Sequence, residues 1–84
     1  MPYRLLMTME VSDKLAAFPP KLRSAIRRRL SLIQESPDNR SDFTEYDAKG
    51  HLLDVHVHAG YAISYWNDFA DRHILVMDIR KADR

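Results

Sequence analysis

The sequence contains no cysteine, only two glycines and four prolines, and no long apolar run. Without cysteine there is neither a disulfide framework nor a thiolate metal site, so packing or a partner must hold the fold. So few glycines and prolines exclude collagen-like or linker-like character. No apolar stretch approaches the ~20 residues of a membrane span. The opening MPYRLLMTME lacks the apolar segment and small-residue cleavage site of a secretory leader. The expectation is a soluble, cytoplasmic protein with no membrane partner. A glycine-rich phosphate loop, a G-x-S-x-G elbow and a paired-cysteine motif are also missing, which leaves nucleotide-binding, serine-hydrolase and zinc-finger readings without support.

What is present is ordinary globular composition: 84 residues, 45% apolar and 30% charged. This length suits one hydrophobic core, so residues 1–84 are read as a single domain. The net charge of +1 is unevenly spread, with eight Lys/Arg against five Asp/Glu in residues 1–42 and five against seven in residues 43–84. Lys21, Arg23, Arg27, Arg28 and Arg29 fall within nine residues. Such a cluster is an electrostatic footprint for nucleic acid or an acidic protein, and equally what a solvated helix face carries.

Alternation predicts a first strand from Tyr3 to Met9. Ser12 or Asp13 then caps a short helix that ends at Phe18, before Pro19-Pro20. From Lys21 to Glu35, Leu22, Ile26, Leu30 and Ile33 recur at helical spacing with the arginines largely off that stripe. Ser36-Pro37-Asp38-Asn39 supplies the stop. Four strands follow, Asp42–Asp47, Leu52–His58, Tyr61–Asn67 and His73–Lys81, joined by turns too short for parallel crossovers. The predicted fold is α+β: an N-terminal strand, a short helix and a longer amphipathic helix packed on one face of an antiparallel β-meander. Strand parity assigns Val55, Val57, Tyr61, Ile63, Tyr65, Leu75, Met77 and Ile79 to the helix side. Asp54, His56, His58, Ala62, Ser64, Trp66, Ile74, Val76, Asp78 and Arg80 then share the open face.

His56 and His58, two apart on one strand, share a face and are candidates for general acid and base. With only Asp54 and the more distant His51 as further local donors, no metal site or other cofactor is expected. His73 is read as an exposed strand end. Trp66 can stack a base, while Arg80, Lys81 and Arg84 can hold phosphate oxygens. A protein segment covering Trp66, Ile74 and Val76 is the alternative use of that face.

The element order, the residues Leu15, Phe18, Leu22, Ile26, Leu30, Ile33 and Ser36-Pro37, the strand Gly60-Tyr61-Ala62-Ile63-Ser64-Tyr65 and the basic-ended strand Ile74–Arg84 together resemble the RelE/ParE toxin superfamily over nearly the whole chain. The resemblance implies the toxin of a bacterial type II toxin–antitoxin pair with a cognate antitoxin as partner. It implies either a ribosome-dependent mRNA endoribonuclease or a protein that acts by binding DNA gyrase or the antitoxin alone. In the nuclease form a ribose 2′-OH would attack the phosphate, His56 and His58 would transfer protons, and Arg80 and Arg84 would stabilise the developing charge without a metal. Lys21, Arg23, Arg27, Arg28, Trp66 and Lys81 would bind RNA. Ala62 stands where the family carries an arginine after the tyrosine.

Overall fold

A computed structural model describes residues 3–37 and 41–82. The Asp38-Asn39 part of the predicted stop, and Arg84, lie outside these residues. The element order is β1 (Arg4–Met7), α1 (Met9–Ala17), α2 (Pro20–Glu35), β2 (Phe43–Tyr46), β3 (Leu52–His58), β4 (Tyr61–Asp68) and β5 (His73–Lys81). The strands form one sheet in the order β1-β5-β4-β3-β2. β2 to β5 are the expected antiparallel meander, and β1 adds to its edge parallel to β5. The fold is therefore α+β with a mixed, mostly antiparallel sheet. None of the described helices is long and apolar enough to cross a membrane.

The first helix starts earlier than Ser12 or Asp13. Thr8 ends the strand by donating its N–H to the Val76 carbonyl at 3.4 Å. Its hydroxyl then accepts from the Val11 N–H at 3.2 Å, which makes Thr8 the N-cap. Pro19-Pro20 separates the helices, and Pro20 occupies the first turn of α2, where a missing N–H leaves no bond unmade. The α2 stripe buries Ile26, Leu30 and Ile33, with Leu22 packed against the same core. Across from it lie Ile63 and Tyr65 of β4, and Ile74, Val76 and Ile79 of β5, all fully buried.

Two strands depart from the predicted parity. A two-residue turn, Ala59-Gly60, joins β3 to β4 with φ of 54° and 82°. It makes His58 the partner of Tyr61 and His56 the partner of Ile63. Directly paired residues point to the same side of a sheet. Asp54, His56 and His58 therefore sit on the helix side, and Val55 and Val57 on the open side. In β5, Ser64 pairs with Asp78 but Tyr65 pairs with Val76, so Met77 is an extra residue. This bulge reverses parity along β5. Ile74 and Val76 turn into the core instead of covering the open face, while Leu75 and Met77 join Trp66 outside.

Truncating the stripe at its centre, Ile26→Ala, should cost about 2–5 kcal/mol as measured by urea unfolding. Arg28→Ala, on the exposed flank of the same helix, should stay within about 0.5 kcal/mol of wild type.

Candidate functional site

The parity just described divides the polar residues between two sites on opposite faces of the sheet. On the open face Arg80 is held by Glu45 and Ser64, with Asp78 Oδ2 at 3.6 Å. It donates to Glu45 Oε1 at 2.8 Å, to Glu45 Oε2 at 3.2 Å and to Ser64 Oγ at 2.9 Å. Ser64 in turn donates to Glu45 Oε2 at 3.0 Å. Ser64 is fully buried on the central strand, so the clamp ties β2, β4 and β5 together across the face. A bidentate carboxylate neutralises the guanidinium and uses much of its donor fork. Around the clamp the face is apolar: Val55 and Ala62 are buried, and Val57 and Phe43 are exposed.

The other half of that face holds a cavity of about 350 Å³ lined by Trp66, Leu75 and Met77 and walled by Asp47, Ala48, Lys49 and His51 of the β2–β3 hairpin. The His51 ring stacks on Trp66 with centroids 4.9 Å apart. Asp47 anchors the hairpin by accepting from the Lys49 and His51 N–H groups at 2.9 and 2.8 Å. These bonds, the His51 N–H foremost, hold its carboxyl below the usual aspartate value.

On the helix side, His56 is buried and its Nε2 lies 3.1 Å from the Tyr65 hydroxyl. Burial pushes its pKa down, Asp42 pulls it up, Arg29 lowers it and Asp54 raises it, and the net direction is down. His58, less buried, has its Nδ1 3.1 Å from an Arg29 terminal nitrogen. Its pKa is lowered first by burial and then by Arg29 and Arg28. Arg29 acts on both rings, while Asp42 and Asp54 act on His56 and Arg28 acts on His58.

The four residues expected to share one catalytic face do not. His56 and His58 lie on the helix side, Arg80 lies on the open side with the sheet between them, and Arg84 is outside the described residues. The RNA-binding set is divided as well. Lys21, Arg27 and Arg28 are exposed on α2. Arg23 instead donates to the Ala16 and Phe18 carbonyls at 3.0 and 3.2 Å, fastening the turn between the helices. Trp66 belongs to the open-face cavity, and Lys81 is exposed at the end of β5. Glu45 and Ser64 as partners of Arg80, and His58 as the partner of Arg29 in the cationic cluster, are not legible in the sequence, because the partners are 16 to 35 residues apart. Asp68, Asp71 and His73 each bring one potential ligand atom within 4.8 Å at the β4–β5 turn, which hairpin pairing of Asp68 with His73 accounts for.

No protein-family model and no curated protein matches the sequence. The fold does match solved structures. Over 98% of this chain and all of the other, it is similar to a chain of the RelBE2 toxin–antitoxin complex of Mycobacterium tuberculosis, with TM-score 0.76 and 13% identity. It is similar to a chain of the archaeal RelE–RelB complex of Pyrococcus horikoshii over 100% of this chain and 99% of that one, with TM-score 0.75 and 17% identity. A chain of the intact E. coli RelBE toxin–antitoxin complex matches with TM-score 0.66 and 17% identity, over 98% and 99% of the two chains. The chain has a RelE-like fold.

Both histidines are held below their ordinary value, so the unfolded chain binds these protons more readily than the folded one. Stability should be fully present above the unfolded histidine pKa of about 6.5 and should fall as pH drops below it toward the folded values. Urea midpoints at about pH 7.5 and 5.5 should show this loss, and His56→Gln should reduce it. Equal pH dependence in wild type and His56→Gln would contradict the assignment to His56.

Proposed function

We propose that this chain is the toxin of a toxin–antitoxin pair and that it acts by docking, not by cutting RNA on its open sheet face. The fold likeness to chains of three toxin–antitoxin complexes supports the first half of this reading. The observation that carries the second half is the state of the open face. Arg80 is engaged by Glu45 and Ser64 and lies 3.6 Å from an Asp78 carboxylate oxygen, with Val57 and Ala62 lining the same hollow. Stabilising a phosphorane-like charge needs donors aimed at the reacting phosphate, and a guanidinium already neutralised by a carboxylate is a poor one. The histidines that would move the protons are on the far side, one of them buried against Tyr65.

The same face suits a protein partner. Trp66, Leu75 and Met77 line an apolar cavity, and Leu6, the β1 partner of Leu75, is exposed beside it. Contiguous apolar surface of this kind marks interaction sites more often than it marks catalytic ones.

Co-expression with the product of the adjoining reading frame should give a complex that survives moderate salt and relieves any growth arrest caused by the chain alone. On translating ribosomes the isolated chain should leave mRNA intact. Site-specific cleavage that disappears in Arg80→Ala would overturn the docking reading, and failure to form the complex would remove the antitoxin.

A further inference from the structure

We propose that the open-face cavity binds a small aromatic carboxylate, its ring packed against Trp66, Leu75 and Met77 and its acid group on the Lys49 ammonium. The walls belong to the face read above as a docking surface, but the isolated chain presents them, so the proposal does not rest on that reading.

Strand pairing builds the apolar floor. Trp66 and Leu75 are partners across β4 and β5, and the bulge adds Met77 to the same side. The hairpin between β2 and β3 supplies the polar wall with Asp47, Lys49 and His51. That hairpin is pinned at several points. The Asp47 N–H donates to the His51 carbonyl at 2.9 Å, and the Gly50 N–H to the Asp47 carbonyl at 3.1 Å. Asp47 Oδ1 accepts from the Lys49 and His51 N–H groups, while Oδ2 lies 3.0 Å from His51 Nδ1. The His51 ring then lies on Trp66 with 25° between the planes. A wall held in this way is preformed, which lowers the ordering cost of filling the cavity.

The same bonds decide what a ligand can use. Both oxygens of Asp47 are engaged, so the wall offers little to a cation. The N–H groups of Lys49, Gly50 and His51 all turn to Asp47, so no nest of backbone donors remains for a phosphate. Lys49 is the exception: its side chain is exposed, and its ammonium has no partner among the described residues. An ammonium is a compact point charge with three donors and no acceptor, and it lacks the fork with which arginine grips a phosphate. A single carboxylate matches it. Placed at the rim beside Lys49, that carboxylate keeps its water, whereas deeper in the cavity it would lose hydration without a partner.

The floor selects the remainder of the ligand. An indole favours other rings in offset or edge-on contact, and a thioether sulfur packs well at a ring edge. The His51 ring already shows Trp66 receiving a flat ring. The volume of about 350 Å³ equals about a dozen water-sized groups of ~30 Å³ each, which fits one ring system with a short acidic arm and not a nucleotide.

Trp66 is the only tryptophan of the chain, so its fluorescence in the full chain reports from this cavity. The test titrates that signal with phenylacetate, its neutral amide phenylacetamide, the amine 2-phenylethylamine, cyclohexylacetate and phenyl phosphate, and uses NMR shift changes to locate the response. Phenylacetate should change the emission saturably at millimolar concentration, shift the resonances of Trp66, Leu75 and Met77, and bind more tightly than the other four. Lys49→Gln should weaken phenylacetate by a factor of about two to five and leave phenylacetamide unchanged. Met77→Gln should weaken both, and Lys81→Gln, at the far end of β5, neither. Thermal unfolding of each variant keeps misfolding apart from lost contacts, and Lys49 is an exposed hairpin residue whose replacement leaves the core intact. A short peptide with Phe beside Asp is the last arm: its binding where phenylacetate fails would assign the cavity to a protein segment and overturn the proposal. So would any of the other four probes matching phenylacetate, an unchanged phenylacetate affinity in Lys49→Gln, or no saturable response to phenylacetate.

Discussion

The inward orientation of β4 governs the rest of the molecule. Ile63 and Tyr65 are completely buried between the sheet and the apolar stripe of α2. Burying two such side chains is worth several kcal/mol, far more than any preference of the flanking strands. Once β4 is fixed, the two-residue turn at Ala59-Gly60 fixes β3 against it, and a slip of one residue would turn every side chain of β3 over. His56 must then share a side with Ile63, and His58 with Tyr61. The chain accommodates a histidine in that buried position by giving it the Tyr65 hydroxyl as partner, and burial favours its neutral form.

The bulge at Met77 completes the division. By inserting one residue into β5 it lets Ile74, Val76 and Ile79 all reach the core, although their spacing of two and then three breaks strict alternation. The cost in ladder regularity is offset by three fully buried side chains. On the other face it leaves Leu75 and Met77 beside Trp66, which creates the apolar cavity. On the same face Glu45 and Ser64 hold the Arg80 guanidinium. One packing decision thus yields an open face with an apolar cavity and an ion-paired Arg80, and places both histidines beside α2.

Much of this was legible in the residues. The α2 stripe, the proline break before it, the short turns and the inward parity of Tyr61, Ile63 and Tyr65 follow from local periodicity and turn chemistry. The parity of β3 did not, because Val55 and Val57 outrank Asp54, His56 and His58 on hydrophobicity and so suggest the reverse orientation. The turn length held the correction, since a two-residue hairpin makes its flanking residues partners, but apolar alternation pointed the other way. The bulge was concealed by the residue it displaces: Met77 is apolar and fits either face. The Arg80–Glu45 pair spans 35 residues and could be found only once β2 and β5 had been placed in one sheet. The candidate site was therefore less readable than the fold, because it depends on pairing and not on composition.

The docking reading rests on one claim, that the two histidines and Arg80 are separated by the sheet. Nuclear Overhauser contacts from the imidazole protons test it most directly, combined with long-range nitrogen correlations that report the tautomer. The account predicts contacts from His56 to the Tyr65 ring and Ile63, contacts from His58 to the Arg29 side chain, and a neutral His58 with its proton on Nε2. Contacts from either ring to the Ala62 methyl or to the Arg80 side chain would place the histidines on the open face and contradict it.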